Sequence, residues 1–160
     1  MEPEEVFAHR VRLLGGLRTF GAGYTELTTE FAQSLGLRST DANAIVEIMY
    51  AEDLGVPLTP ARLAERIGLT SGATAQLLNR LEDAGHVTRT REQADRRKVT
   101  LRTSPEIVKP AVAFFATLGE HLDELVRRHD AADLDLVAAF LDELTGTMAA
   151  AIEQSRVRPS

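Results

Sequence analysis

The fold is decided by residues 58–85, which read LTPARLAERIGLTSGATAQLLNRLEDAG. A first short helix is indicated by apolar residues at helical spacing, namely Ala61, Leu63, Ala64 and Ile67. Pro60 fits the first turn of this helix because an amide there has no helical partner, and Gly68 ends it because glycine accepts a positive φ. Thr70 is expected to cap a second helix, whose buried face is predicted to be Thr74, Leu77, Leu78 and Leu81. Two short helices joined by a glycine-containing turn predict a helix-turn-helix.

After Gly85 the pattern changes from helical to alternating. Lys98, Thr100 and Arg102 alternate with Val99 and Leu101, and residues 87–91 alternate in the same way. Residues 92–97 join these two runs, so the segment predicts a β-hairpin, the wing that follows a helix-turn-helix. Residues 86–103 carry a net charge of +4, whereas the rest of the chain carries −10. Basic charge confined to one loop favours contact with phosphates, and the competing interpretation is a solvated hairpin with ordinary arginine decoration.

Three segments of this region resemble the MarR (multiple antibiotic resistance regulator) family. They are residues 63–70 (LAERIGLT), 78–87 (LNRLEDAGHV) and 95–101 (DRRKVTL). The resemblance extends in organisation over nearly the whole chain, and its most specific parts are the Asp-x-Arg motif of the wing and the Arg-Leu-Glu-x-x-Gly motif. It departs after Leu101, where Leu-Arg-Thr-Ser-Pro replaces the usual Leu-Thr-x-x-Gly. The resemblance implies a homodimer that presents two recognition helices and two wings to double-stranded DNA at a pseudo-palindromic operator. By the same resemblance, Asp95 braces an arginine.

Composition sets the class of protein. The chain has 160 residues, 44% of them hydrophobic, with six Phe, two Tyr and no Trp, which predicts one domain with an aliphatic core. There are no cysteines, which excludes a disulfide framework and a thiol redox switch. No apolar run approaches the roughly 18 residues that span a bilayer, and the acidic N-terminus lacks the basic region of a signal peptide. We therefore expect a cytoplasmic protein without a membrane partner.

Long helices are predicted on both sides of the winged helix. Residues 4–35 have an apolar face of Leu13, Leu17, Phe20, Tyr24, Leu27, Phe31 and Leu35. Ser39 or Thr40 is expected to cap a second helix at residues 41–52, with Ala44, Ile45, Ile48 and Met49 inward. Ser104 is expected to cap a penultimate helix that begins at Pro105 and carries Ile107, Ala111, Phe114, Leu118, Leu122 and Leu125 on one face. The last helix carries Leu134, Val137, Leu141, Leu144, Met148 and Ile152.

The terminal helices are apolar over more of their surface than one small winged helix can cover. The residues outside the main stripes include Val112, Phe115, Val126 and Phe140. An identical subunit is the simplest cover, and the alternative is a monomeric helical bundle with a generous core. We predict a mainly α fold with a small β-hairpin, in a single domain of residues 1–160. Residues 37–103 form its winged-helix DNA-binding region, and residues 1–36 and 104–156 form its helical dimerisation region.

The side chains predicted to contact DNA lie on the two short helices and the wing. They are Thr59, Arg62, Thr70, Ser71, Gly72, Ala75, Gln76, Asn79, Arg80, Arg96 and Arg97. Gln76 is the best candidate to read a base, since its amide can form a bidentate pair with adenine. Thr59 and Arg62 suit contacts to the DNA backbone. Arg80 is expected to reach a phosphate or to pair with Glu82, Asp83 or a neighbouring helix.

The wing and the first helix each carry one further prediction. Arg96 or Arg97 is expected to enter a narrowed minor groove. The first helix contains Gly15, Gly16, Gly21 and Gly23, which either leave room for a kink or a small ligand or allow close packing of another helix or subunit. Such packing is the favoured interpretation.

By family resemblance, a small aromatic or phenolic effector binds between the first, second and penultimate helices. The residues that would line this site are Arg18, Phe20, Tyr24, Met49, Phe114, Phe115 and His121. Arg18 or His121 would be the polar anchor. Core packing explains each of these residues equally well.

No catalytic residue, metal site or cofactor is predicted. The four histidines are scattered, and the sequence contains no P-loop, dinucleotide-binding glycine pattern or Ser/His/Asp order. The favoured function is a DNA-binding repressor released by a small molecule. The alternative is a winged-helix module that binds proteins and has lost sequence-specific DNA reading. For an enzyme the sequence offers almost nothing.

Overall fold

The computed structural model describes residues 2–91 and 99–157, with side chains through Ser155. In chain order its elements are α1 (Pro3–Ser34), α2 (Ser39–Asp53), α3 (Pro60–Ile67), α4 (Ser71–Asp83), β1 (Val87–Arg91), β2 (Val99–Thr103), α5 (Pro105–Val126) and α6 (Ala131–Val157). The chain divides into two compact units within α5, one ending at Phe114 and the other beginning at Phe115. The predicted class, mainly α with a small β-hairpin, is confirmed.

The core of the first unit lies where α2, α3, α4 and the hairpin meet. Its fully buried aliphatic side chains are Ile45, Ile48, Leu63, Leu77, Leu78, Leu81, Val87 and Leu101. Each such side chain contributes roughly 1.5–3 kcal/mol relative to an exposed one, so this cluster is the main source of stability in the unit. The cluster therefore fixes α4 against α2 and the wing.

The helix-turn-helix forms as the sequence predicts. Thr59 Oγ1 accepts a hydrogen bond from the Arg62 amide at 3.3 Å and caps α3. Gly68 ends α3 with a φ of 67°, a left-handed conformation that glycine adopts without strain. Thr70 Oγ1 accepts from the Ala73 amide at 3.3 Å and caps α4. The polar ends of both short helices are thus satisfied locally, which leaves their side faces to decide the packing.

Helix α3 buries only part of its predicted apolar set. Leu63 and Ala64 are buried and Ile67 is half-buried, as expected for the core face. Ala61 is exposed, so the prediction is too broad at this position. An eight-residue helix has little more than two turns, and one face of two turns holds only about three residues.

The wing is an antiparallel hairpin in which Val87 lies opposite Thr103 and Arg91 lies opposite Val99. The Leu101 amide also donates to the carbonyl oxygen of Leu58 at 2.8 Å, which ties β2 to the segment before α3. The connection between the strands, residues 92–98, lies outside the described residues.

The predicted alternation in β2 is wrong at Thr100. The alternation predicts Thr100 on the polar face with Lys98 and Arg102, but Thr100 is fully buried, as is its neighbour Leu101. The Thr100 hydroxyl donates to the carbonyl oxygen of Thr90 across the hairpin at 3.4 Å. A threonine whose hydroxyl bonds to backbone in this way can be buried at little cost.

The predicted cap of α2 is also wrong. Neither Ser39 nor Thr40 is the cap, because both lie inside the first turn and Arg38 is the capping residue. The Arg38 carbonyl accepts from the amides of Asp41 and Ala42, each at 3.0 Å. The helix therefore starts earlier than the capping preference of serine and threonine suggests, and it has no side-chain cap.

Ser104 precedes Pro105 as predicted, but its side chain does not cap α5. Its carbonyl accepts from the amides of Ile107 and Val108, whereas its buried hydroxyl has no hydrogen-bond partner among the described atoms. The Ser104 amide donates to the His86 carbonyl at 2.9 Å and extends the hairpin ladder by one bond. Helix α5 therefore follows directly from the wing.

The apolar face of α1 is covered only at its C-terminal end. Phe31 is fully buried, whereas Phe20 is 69% exposed and Leu13 is 45% exposed. Within the described chain, a Cβ atom at Gly15, Gly16, Gly21 or Gly23 would meet no atom within 4 Å. The predicted helix is confirmed, and most of its apolar face lies open in the single chain.

Two further helices show the same exposure. In α5 the predicted face is buried only at Ile107 and Ala111. The second unit contains the rest of α5 and all of α6. It exposes large apolar side chains at 37–69%, namely Leu118, Leu122, Leu125, Val126, Leu136, Val137, Phe140, Leu141, Met148 and Ile152. Among the described residues, no helix is long and apolar enough to cross a membrane.

Candidate nucleic-acid interface

Helix α4 has one buried face and one exposed polar face. Thr74, Leu77, Leu78 and Leu81 are at most 1% exposed, as predicted. The exposed face contains Ser71, Gly72, Ala75, Gln76 and Asn79, five of the residues predicted to contact DNA. Gln76 and Asn79 are the two members of this face with side-chain amides, which can both donate and accept hydrogen bonds.

Three further predicted contacts flank or belong to α3, and each already has a partner within the protein. The Thr59 and Thr70 hydroxyl oxygens are used as helix caps. Arg62 forms an ion pair with Glu65 at 2.9 Å, with the two side chains 73% and 64% exposed. An ion pair so open to water contributes little, so Arg62 can exchange Glu65 for another anion at low cost.

Arg80, the remaining predicted contact on α4, is held by Asp41 of α2. Its Nη2 lies 2.7 Å from Asp41 Oδ1, and its Nε lies 3.4 Å from Oδ2. The Asp41 side chain is 9% exposed and that of Arg80 is 38% exposed. The hydrogen bond to Asp41 raises the pKa of Arg80 further, so the guanidinium stays charged. This is the pairing with a neighbouring helix that the sequence leaves open, and it orients α4 on α2.

Helix α2 makes two more such contacts. Glu47 pairs with Arg66 of α3 at 3.1 Å. Glu52 accepts from the Thr103 amide at 3.0 Å and from the Thr103 hydroxyl at 2.5 Å. Together with Asp41, these carboxylates connect one helix to α4, α3 and β2. The exposed face of α4 is thus carried on a scaffold that fixes its position relative to the wing.

Sequence reasoning missed the role of Arg89 in β1. Its Nη1 lies 2.5 Å from Glu82 Oε2 and its Nη2 donates to Asn79 Oδ1 at 3.1 Å. The alternating pattern placed Arg89 on the polar face of the wing, but nothing local in the sequence indicates which residues it reaches. Arg89 also lines a cleft of about 160 Å³ with Pro60, Ala61 and Ala64 of α3 and Ser71, Thr74, Ala75 and Leu78 of α4.

The predicted wing contacts, Arg96 and Arg97, lie outside the described residues, and so does Asp95. The described part of the hairpin carries two further arginines. Arg91 is exposed at the distal end of β1, and Arg102 of β2 lies 3.6 Å from Glu52. The contact predicted for Arg96 and Arg97 therefore stays a prediction.

The predicted effector residues separate into smaller groups. On α1, the rings of Phe20 and Tyr24 stack with centroids 6.2 Å apart. Phe114 is half-buried and packs instead on the buried Phe31, with ring centroids 5.3 Å apart. Burial, followed by the charge of Glu47, raises the pKa of the Tyr24 phenol above 10.0, which keeps it a neutral hydrogen-bond donor at physiological pH.

The remaining candidates are divided between the two units. Arg18 is exposed on α1, and Met49 of α2 is half-buried against the core. Phe115 and His121 of α5 lie in the second unit. The described residues contain no group of three histidine, cysteine, aspartate or glutamate side chains arranged to hold a metal ion.

Comparison with known proteins agrees with this geometry. The MarR family model matches residues 35–98, which contain the helix-turn-helix and most of the wing. The uncharacterised HTH-type transcriptional regulator YcgE of Bacillus subtilis (strain 168) is 31% identical over 123 residues, 77% of each chain.

Two solved structures of MepR from S. aureus share the fold. The MepR–DNA complex superposes with a TM-score of 0.57 at 14% identity, covering 82% of this chain and 93% of MepR. MepR bound to ethidium bromide gives 0.51 at 15% identity, with the same coverage of each chain.

These findings define a winged helix-turn-helix protein. The chain belongs to the MarR family of DNA-binding transcriptional regulators. Members of that family are regulators and not enzymes, which confirms both the resemblance read from the sequence and the prediction that the protein is no enzyme.

Proposed function

We propose that the protein is a homodimeric repressor that binds a pseudo-palindromic operator and is released by a small aromatic effector. The proposal that the protein binds DNA rests on the exposed polar face of α4. Ion pairs with α2 and β1 hold this helix in place. A fixed helix with a hydrogen-bonding outer face suits the major groove. Because its target is DNA, the protein is proposed to act in the cytoplasm.

The residues predicted to contact DNA are proposed to have different roles. Gln76 and Asn79 read base edges, since their amides are exposed on the outer face of α4. Ser71 and Gly72 lie in the first turn of α4, where free amides favour a phosphate. The remaining residues are proposed to contact the DNA backbone or to contribute to shape complementarity with the DNA. They are Thr59, Arg62, Thr70, Ala75, Arg96 and Arg97. Arg80 is assigned to the ion pair with Asp41 rather than to DNA, because its guanidinium already has a bidentate partner.

The proposed dimer rests on the apolar surface of α1, α5 and α6. Large exposed apolar side chains, among them Leu13, Phe140 and Met148, recur along each of these helices, and exposed apolar surface of this kind is rare on monomers. A two-fold axis would cover both copies at once and place two α4 helices for two half-sites. It is also proposed to cover the four glycines of α1, whose surroundings are open in the single chain.

Sedimentation equilibrium tests the dimer. Since the chain has a mass of 17.5 kDa, we expect a species of about 35 kDa at micromolar concentration. Replacing the 40% exposed Phe140 with Glu should shift the mass toward that of one chain, whereas Tyr50→Glu, at a 58% exposed position on α2, should not. A wild-type protein that sediments as a monomer would contradict the proposal.

The proposed effector is a small aromatic molecule that binds beside Phe20 and Tyr24. These stacked rings are 69% and 40% exposed, and the neutral Tyr24 phenol supplies a donor. MepR bound to ethidium bromide supports a planar aromatic ligand for this fold. The protein would then have one conformation that fits DNA and another that does not. The ligand releases the protein from DNA only if its affinity for the second conformation is higher than its affinity for the first.

A thermal-shift screen with phenolic acids and aromatic cations tests this proposal. A ligand present at about 100 times its Kd adds roughly 2.7 kcal/mol and should raise the Tm by several degrees. Phe20→Ala should abolish that shift, whereas Phe7→Ala, which changes another exposed phenylalanine of α1, should keep it. Shifts that survive Phe20→Ala and Tyr24→Ala would exclude this site.

A further inference from the structure

Arg89 links the wing to the outer face of the recognition helix. Its Nη2 donates to Asn79 Oδ1 at 3.1 Å. Its Nη1 lies 2.5 Å from Glu82 Oε2, and its backbone amide donates to Glu82 Oε1 at 3.2 Å. Glu82 thus fixes both the backbone and the side chain of Arg89, and Arg89 in turn reaches Asn79.

The chemistry of the guanidinium determines how Asn79 points. Arginine offers five N–H donors and no acceptor, so Asn79 must turn its carbonyl oxygen toward Arg89. The two hydrogens of its NH2 group are not used by Arg89. Asn79 lies on the same exposed face of α4 as Gln76, one turn further along. Without Arg89, the amide would be free to rotate and to present either its oxygen or its nitrogen.

We propose that Arg89 is a positioning residue that makes Asn79 a hydrogen-bond donor toward DNA. The fixed NH2 group would donate to a major-groove acceptor, namely guanine O6 or N7, adenine N7 or thymine O4, at one base pair of each half-site. Cytosine presents an amine donor at the corresponding edge and would be disfavoured. This inference rests on the proposed function, since it places the outer face of α4 in the major groove.

Arg89 is better suited to positioning than to a phosphate contact. Its positive charge is compensated by the Glu82 carboxylate at 2.5 Å, with the two side chains 32% and 28% exposed. A phosphate contact would require this ion pair to open. Counterion release, which sets the salt dependence of binding, comes from cations that neutralise phosphates. Removing Arg89 should therefore change the base preference while the salt dependence stays the same.

Selection of duplexes from a random pool, followed by affinity measurements, tests the inference. Asn79→Ala should lower the preference at one symmetry-related base position by about ten-fold, the usual scale of a base-edge contact. Arg89→Met should lower the preference at the same position, and the double variant should lose no more than either single one, as expected for coupled residues. Arg89→Lys should restore part of the preference. Arg127→Met, which removes an arginine ion pair outside the winged helix, is the control and should change nothing.

Asn79→Asp keeps the variant chain close to the native structure and tests the donor directly. Its carboxylate still accepts from Arg89 but has no hydrogen to donate, so we expect the same loss of preference as with Asn79→Ala. If circular dichroism shows that Arg89→Met does not fold, the base preferences of Asn79→Asp and Arg89→Lys test the inference instead.

Three results would overturn the inference. One is additive losses in the double variant, and another is a uniform loss on all duplexes with a lower salt slope after Arg89→Met, which would make Arg89 a phosphate contact. The third is an unchanged base preference after Asn79→Ala. All three leave the proposed function intact as long as the wild type selects a defined sequence. A wild type that selects none would contradict the proposed function itself.

Discussion

Replacing Arg96 and Arg97 together with Ala should weaken binding to every duplex, whatever its sequence. If both side chains hold phosphates or enter the minor groove, the dimer loses up to about four contacts, two from each subunit, and each lost contact lowers the log–log salt slope by roughly 0.9. At low salt this corresponds to a loss of affinity of several orders of magnitude. Fluorescence anisotropy with a labelled duplex at several salt concentrations measures both quantities.

The matched control for this variant is Arg127→Ala with Arg128→Ala. This pair removes the same charge from the turn that follows α5, where Arg127 pairs with Asp123. We expect the control to keep nearly the wild-type affinity and salt slope. Normal binding by the wing variant at every salt concentration would mean that the hairpin is only a solvated β-ribbon.

Replacing Leu78 with Ala should have the largest effect on stability. Leu78 is fully buried on α4 within the cluster that joins α2, α3 and the hairpin. Deleting its side chain should cost about 2–5 kcal/mol, the sum of lost transfer energy and the cavity that remains. Because Leu78 packs the recognition helix α4 against the core, affinity for the operator should fall as well. Urea unfolding followed by circular dichroism measures the free energy change.

Leu54→Ala provides the control, since this leucine is 59% exposed and its loss should change stability by no more than about 0.5 kcal/mol. Both measurements need one fixed protein concentration, because the stability of a dimer depends on it. A Leu78→Ala protein as stable as the control would show that the cluster does not hold α4.

The elements of the winged helix could be predicted because their signals are local. Thr59, Gly68 and Thr70 act within one helical turn, and four residues of α4 define a buried face by spacing alone. The failure at Thr100 occurred where a contact outside the strand decides the outcome. Thr100 is buried because its hydroxyl bonds across the hairpin, which alternation along one strand cannot indicate.

The sequence could predict which residues of the candidate interface are exposed, but not which ion pairs its arginines form. The outer face of α4 follows from helical periodicity, so Gln76 and Asn79 could be placed on it from the sequence. The ion pair of Arg80 with Asp41 joins residues 39 positions apart, and that of Arg89 with Glu82 crosses from a strand to a helix. Such pairs depend on the tertiary fold, and charge patterns alone allow several partners for each arginine.

The protein is proposed to read DNA sequence through the outer face of α4. The most direct test is the ratio of affinities, at moderate salt, for a duplex selected from a random pool and for a scrambled duplex of the same composition. We predict a ratio of at least about 10³ for the wild type. Gln76→Ala should reduce the corresponding difference in binding free energy between the two duplexes by roughly 1–3 kcal/mol. Equal affinity for both duplexes would contradict sequence-specific reading by α4 and favour a winged-helix module that binds proteins instead.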